Sequence, residues 1–312
     1  MEFEAHRGEL TAYCYRMLGS FDEAEDLVQE TMLRAWKARD RYDHARASVR
    51  TWLYRIATNV CLTALEGRAR RPLPSGLGAP SDDPGAPLAP ALDVPWLQPF
   101  PDARVEIEVR ADMRLALVAA MQALSARQRA VLLLRDVLQF SAAEVATQME
   151  TTVPAINSAL QRARAALAEV GDLGEVTEPD DPRVRAAVER YVRAFEAADV
   201  PALVRLLTDD AVLEMPPVPL WYRGSGDYGR FIERVFQMRG VGWAMARLTA
   251  NGQPMLAAYA PEPDGRHTLH TLQVLTVAGG LVARNVVFTD PAVFKAFDLP
   301  ARLSADEVHA MR

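Results

Sequence analysis

The stretch SAAEVATQMETTVPAINSALQRARAAL, Ser141 to Leu167, decides the fold of its part of the chain. Ser141, followed three residues later by Glu144, is a capping box that starts a short helix over 141–150. Thr151–Val153 form a turn, and Pro154 opens a second helix at a position where its missing N–H costs nothing. In that helix Ile156, Leu160, Ala163 and Leu167 recur at helical spacing and face inward. Asn157, Ser158, Gln161, Arg162 and Arg164 face outward. A short helix, a tight turn and a helix with amide and guanidinium groups on its free face make a helix-turn-helix. A further capping box, Ser125 with Gln128, stands upstream, so helices are expected through about 103–171.

A second helical block lies nearer the N-terminus. Ser20 and Glu23 have capping-box spacing, and Leu27, Val28, Thr31, Met32, Leu33, Ala35 and Trp36 give a broad apolar face. Asp22, Glu23, Glu25, Asp26, Gln29 and Glu30 make the opposite face acidic. In the next helix, Val49, Trp52, Leu53, Ile56, Val60 and Ala64 are the inward set. Arg50, Tyr54, Arg55, Thr58, Asn59 and Thr63 form the other face.

Between the blocks, nine of the chain's 21 prolines fall from Pro72 to Pro101. That composition sustains no helix and reads as a linker over 72–102. A second break, Gly171 to Pro182, is acidic and punctuated by Gly and Pro. Beyond it, Val184, Val188, Tyr191, Val192 and Phe195 mark an amphipathic helix. A short helix at 201–207, a strand at 211–215, a helix at 227–237 and three or four strands follow. Two of those strands, HTLHTLQVLTV and LVARNVVF, are joined through Ala278-Gly279-Gly280. Helices followed by strands indicate α+β over 182–312.

The chain has 312 residues, 50% hydrophobic, 24% charged and 7% aromatic, which excludes wholesale disorder. No run reaches the ~20 apolar residues of a membrane helix, and MEFEAHRGEL has neither region of a signal peptide. A cytoplasmic protein without membrane contact is expected. Cys14 and Cys61 lack CxxC partners and are expected to be buried thiols, with no metal and no cofactor. Net charge is −6, but Arg34–Arg71 holds ten basic against three acidic residues, +7, while residues 172–312 hold 15 basic against 19 acidic, −4. A basic block in an acidic chain is a local footprint for phosphate. Arginines supply affinity without sequence information, and an Asn- and Arg-lined loop beside aromatics suits an unstacked base. Trp52 is assigned to the core, Arg55 and Asn59 to DNA.

AEDLVQETMLRAW (Ala24–Trp36) with RTWLYRIATNVCL (Arg50–Leu62) resembles region 2 of the extracytoplasmic-function class of bacterial sigma factors. Leu124–Leu167 resembles their region 4. The two motifs are long, stand in the family's order and cover about half the chain. The resemblance implies that Asp26, Gln29 and Glu30 dock on core RNA polymerase, through its β and β′ subunits. It implies that Arg46, Arg50, Arg55 and Asn59 melt and read the minus-ten promoter element. Asn157, Ser158, Gln161, Arg162 and Arg164 would read the minus-thirty-five element. Many members carry Lys and Arg where this chain has Asn157 and Ala159, which predicts weaker phosphate anchoring. Asn and Gln favour adenine edges.

The last unit, with LLTDDAVLEMPPVPLWYRG, resembles the SnoaL-like branch of the nuclear-transport-factor-2-like cone, and PWLQPFPD resembles the linker of sigma factors that carry it. The expected architecture is therefore multidomain: all-α region 2 (1–71), linker (72–102), all-α helix-turn-helix region 4 (103–171) and an α+β SnoaL-like cone (182–312). Glu214, Trp221, Tyr222, Trp243 and His270 are candidate pocket walls for a small ligand. Asp209, Asp210, His267 and Asp290 complete the polar set of the cone. They group into no catalytic motif, and fold likeness does not transfer chemistry, so no catalytic residue is assigned. The expected function is promoter-directed transcription initiation, with the cone contacting the sigma regions and acting in cis at roughly millimolar effective concentration. The alternatives are a helix-turn-helix regulator independent of polymerase, or a SnoaL-like enzyme with accessory helices.

Overall fold

The computed structural model describes residues 3–45, 47–105, 113–169, 179–304 and 306–307. The chain divides into two compact units, one of residues 1–71 with 97–173, the other of 72–96 with 174–312.

The first unit is helical: α1 (Arg7–Leu18), α2 (Phe21–Ala38), α3 (Val49–Ala64), α4 (Leu115–Gln122), α5 (Ala126–Leu132), α6 (Ala142–Gln148) and α7 (Val153–Glu169). α5 continues as a wider π turn over Leu133–Val137. The boxes at Ser125/Gln128 and Ser141/Glu144 are complete, with side chain and backbone reciprocating at each. Ser20 is only half a box. Its Oγ accepts from the Glu23 N–H, but the Glu23 carboxylate accepts from Arg68 and Arg71 instead of reaching back. Gln98 reinforces the helix start instead, its Oε1 accepting from Ser20 Oγ and from the Phe21 N–H.

The inward faces differ from the periodic reading in two places. Leu33 and Trp36 are 45% and 57% exposed, so the buried stripe of α2 is the narrower Ala24, Val28, Thr31, Met32 and Ala35. Tyr54 and Thr58, read on the polar face of α3, are wholly buried. The Thr58 hydroxyl bridges Tyr13 Oη and the Tyr54 carbonyl, which satisfies a polar pair the burial would otherwise penalise. Cys14 and Cys61 are buried free thiols with sulfurs 3.6 Å apart.

The second unit holds α8 (Pro182–Glu196), α9 (Val200–Val204), β1 (Leu207–Met215), β2 (Val218–Arg223), α10 (Ser225–Arg239), β3 (Ala244–Ala250), β4 (Gln253–Pro261), β5 (His267–Ala278), β6 (Leu281–Phe288), α11 (Pro291–Phe294) and β7 (Arg302–Leu303). The sheet runs β2-β1-β6-β5-β4-β3, with β7 against β5, and only β1 beside β6 is parallel. β1 reaches back to Leu207, so Asp209 and Asp210, read at a helix end, lie in a strand. Gly279 and Gly280 both take positive φ in the β5–β6 turn, a backbone region open to glycine at no steric cost. The core lies where α8 and α10 cross the sheet, with Tyr191, Phe195, Phe231, Phe236, Trp243 and Leu275 at its centre.

The Pro-rich segment 72–96 packs on this sheet as a strap. Its Ser81 N–H donates to the Trp221 carbonyl at 2.8 Å and its Ala91 N–H to the Pro217 carbonyl at 2.9 Å. Arg234 donates to the carbonyls of Pro84 and Ala86, each at 2.8 Å. No helix among the described residues is long and apolar enough to cross a membrane.

Candidate functional sites

Three surfaces carry the residues singled out by sequence. On α2, Asp26 and Gln29 are exposed, and Glu30 is half-buried beneath Arg34, 2.6 Å away at i,i+4. Leu33 and Trp36 stand on the same helix, with the Arg39 guanidinium 4.4 Å above the Trp36 ring. Carboxylates beside exposed apolar side chains give a face with both steering charge and area to bury. Leu33 and Trp36 were assigned inward because their spacing fits the apolar period; their exposure is what the period could not show.

On α3, Arg55 and Asn59 are exposed. Arg50 is engaged: its Nε donates to Glu9 Oε2 at 2.8 Å, and its guanidinium lies 5.0 Å from the Tyr54 ring and 5.2 Å from the Phe140 ring. Arg55 donates to Glu150 Oε1 at 3.0 Å. Tyr54 and Phe140 meet edge to face at 5.5 Å. The face of α3 that bears the basic residues is thus held by the helix-turn-helix half of the same unit. A groove of about 550 Å³ runs between them, lined by Arg41, Tyr42, Trp52, Arg55, Glu144 and Gln148. Trp52 is half-buried and wedged between Tyr42 and Phe3, so it is a groove wall as much as core. Arg46 lies outside the described residues.

On α7, Asn157, Ser158, Gln161, Arg162 and Arg164 are all exposed. They share the free surface of a helix anchored by Ile156, Leu160 and Ala163. Arg164 forms a two-pronged pair with Asp136, at 2.8 and 2.6 Å, which fixes its fork in place. Beneath this helix-turn-helix sits Arg129, almost fully buried without a carboxylate. It donates to the carbonyls of Met17, Met121, Gln122 and Leu124 and to Gln122 Oε1. Burial brings its pKa down to about 10, a cost offset by those acceptors. No periodicity marked Arg129, because its partners are backbone oxygens of α1 and α4 neighbours.

In the α+β unit a cavity of about 280 Å³ opens between α10 and the sheet. Trp243 and His270 line it. Glu214, Trp221 and Tyr222 do not. Strand alternation explains Glu214: Leu213 and Met215 face the cavity, and Glu214 the opposite side. There it is fully buried and accepts from Arg284 and, at 2.8 Å, from the Ser75 N–H of the strap. Trp221 donates its indole N–H to the Gly78 carbonyl at 2.9 Å. Tyr222 stacks on Phe231 and donates to the Asp83 carbonyl at 3.3 Å. These three hold the strap. At the cavity floor Asn285 donates to Tyr228, Tyr191 and Gln273. Burial raises the Tyr228 phenol to about 12, so the network is neutral. His270 lies 5.5 Å from the Trp243 ring, and burial, with Arg239 nearby, lowers its pKa below 6.5.

Three family models match the chain: Sigma-70 region 2 over residues 3–71, Sigma-70 region 4 over 114–167, and a SnoaL-like domain over 188–285. The ECF RNA polymerase sigma factor SigG of Mycobacterium tuberculosis is 47% identical over 310 residues, covering 96% of this chain and 83% of that protein. The ECF RNA polymerase sigma factor SigJ of the same organism is 30% identical over 312 residues, covering 96% and 95%. A crystal structure of SigJ superposes with a TM-score of 0.68 at 26% identity, over 96% of this chain and 99% of that one.

Proposed function

Because the chain belongs to the extracytoplasmic-function RNA polymerase sigma factors, with a SnoaL-like domain after region 4, we propose that it brings core RNA polymerase to promoters and nucleates strand opening in a manner gated by its own fold. Asp26, Gln29 and Glu30, with Leu33 and Trp36 beside them, are the polymerase face. Arg55 and Asn59, with Arg50 once released, engage the minus-ten strand; α7 reads the minus-thirty-five element. The subunit catalyses nothing itself and acts where the polymerase is, in the cytoplasm.

The observation that carries the gated reading is the packing of Arg50, Tyr54 and Arg55 against Phe140 and Glu150. Two promoter elements about 25 base pairs apart are separated by roughly 85 Å at 3.4 Å per pair. A compact unit of about 150 residues has a radius of gyration of roughly 15 Å. Both faces therefore engage DNA only after the helix-turn-helix half leaves α3. The strap supports a role for the C-terminal domain in that step, since the segment joining the two halves in sequence is held by the α+β sheet.

The test is open-complex formation by bacterial core polymerase with the full chain and with a Phe140→Leu/Glu150→Ala variant, over a pool of promoter fragments. The wild-type chain should bind core and open a small subset of the pool, and the variant should open the same promoters faster. Failure of both to bind core would overturn the polymerase reading; equal rates would overturn the gate.

A further inference from the structure

The cavity of the α+β unit plays no part in promoter recognition, yet its lining is that of a receptor. Phe195, Leu213, Met215, Phe231, Ile232 and Trp243 supply apolar walls. Its volume of about 280 Å³ has room for on the order of ten heavy atoms, taking roughly 30 Å³ each as in liquid water. Arg239, the last residue of α10, and His270, on β5, both line it, and neither side chain has a hydrogen bond or ion pair among the described residues. A guanidinium with no counter-charge at the edge of an apolar cavity is one half of a pair whose natural complement is a planar carboxylate. A neutral imidazole beside it can donate one N–H to the same group. One cation and one neutral donor match a monoanion; a dianion would bring a second charge with nothing to oppose it.

We propose that this cavity binds a small apolar carboxylic acid, carboxylate on Arg239 and His270 and apolar body among the aromatic walls, and that the strap registers its occupancy through Leu88. Leu88 is the strap's contribution to the cavity lining. It stands between the Pro84 and Ala86 carbonyls gripped by Arg234 and the Ala91 N–H held by Pro217, so the docked strap positions it. An occupant buries apolar surface against Leu88 and so favours the docked strap. The inference stands apart from polymerase binding, since cavity and strap belong to one unit.

The test uses the full chain with phenylacetic acid and its neutral analogue phenylacetamide, by titration calorimetry at pH 7.5. The acid should bind at least tenfold more tightly than the amide. Arg239→Gln, at an exposed position, should bring the acid to the amide's affinity with an unchanged melting temperature. Saturating acid should also slow hydrogen exchange at the Ser81 and Ala91 amides, the strap's bonds to Trp221 and Pro217. Equal binding of acid and amide, or none of either at millimolar concentration, overturns the receptor. Binding with unchanged exchange at those two amides overturns the strap's part.

Discussion

Arg55 on α3 donates to Glu150, the residue that closes the turn after α6, at 3.0 Å, with both side chains largely in solvent. An exposed pair of this kind is worth about 0.2–1 kcal/mol, so under the function proposed above DNA phosphate would displace it. Removing it should release Arg55. Glu150→Ala is expected to tighten binding of single-stranded minus-ten DNA by about 1.4- to 5-fold, the equivalent of that energy. Fluorescence anisotropy at fixed ionic strength measures it, with Glu169→Ala as a charge-matched control on the far end of α7.

Arg129 makes the opposite kind of connection. Its guanidinium is spread over four backbone carbonyls from two helices and the turn between α4 and α5. Arg129→Met would strip those buried oxygens of their guanidinium donor, Met121 alone keeping the Leu124 N–H, at about 2–4 kcal/mol. Arg129→Lys should recover little, because a point charge cannot reach acceptors arranged for a planar fork. Denaturant unfolding of the two variants against wild type decides it.

Glu214 is the pivot of the strap. It is fully buried and holds both Arg284 and the Ser75 N–H. Glu214→Gln leaves Arg284 without its counter-charge and should cost about 3 kcal/mol of the α+β unit's stability. Hydrogen exchange at Ser75 should rise well beyond the global change. Ser75→Ala removes only the hydroxyl contact with Arg284 and should cost about 1 kcal/mol.

His270 gives the C-terminal unit a pH dependence of defined sign. Burial, then the neighbouring Arg239, lower its folded pKa below 6.5, so the unfolded chain takes up the proton first. Its contribution is complete above pH 6.5 and is lost as pH falls through 6.5 toward the depressed folded value. Thermal melts from pH 8 to pH 5 should show a shallower decline for His270→Gln than for wild type. An identical slope would mean that the imidazole is not what titrates.

α7 was legible because its signal is local: a capping box just upstream, a proline at the helix start and a 3.6-residue period place Asn157, Ser158, Gln161, Arg162 and Arg164 on its exposed face. α3 was half legible. Tyr54 and Thr58 are polar by composition, and only their hydrogen bonds to Glu9, Tyr13 and one another let them be buried. The pocket was least legible. Trp221 and Tyr222 are large and aromatic, as walls are, but they grip carbonyls more than a hundred residues upstream. Composition also made 72–102 a linker; what docks residues 72–96 is Arg234, Glu214 and Trp221, of which Arg234 drew no reading from the sequence and the other two were read as pocket walls.

The strap also imposes an order on synthesis. Arg284, which completes its anchorage through Glu214 and Ser75, lies 188 residues beyond Trp96. At roughly 5–20 residues per second, that is about 10–40 s of translation in which the connection has nowhere to rest, and for the final 115 residues of it, from Glu169 onward, both helical halves are complete. A nascent or prematurely ended chain therefore presents its promoter-binding helices before the domain that holds their tether exists. The ribosome reaches the strap's anchor after both helical halves, so every new molecule passes through an unrestrained youth.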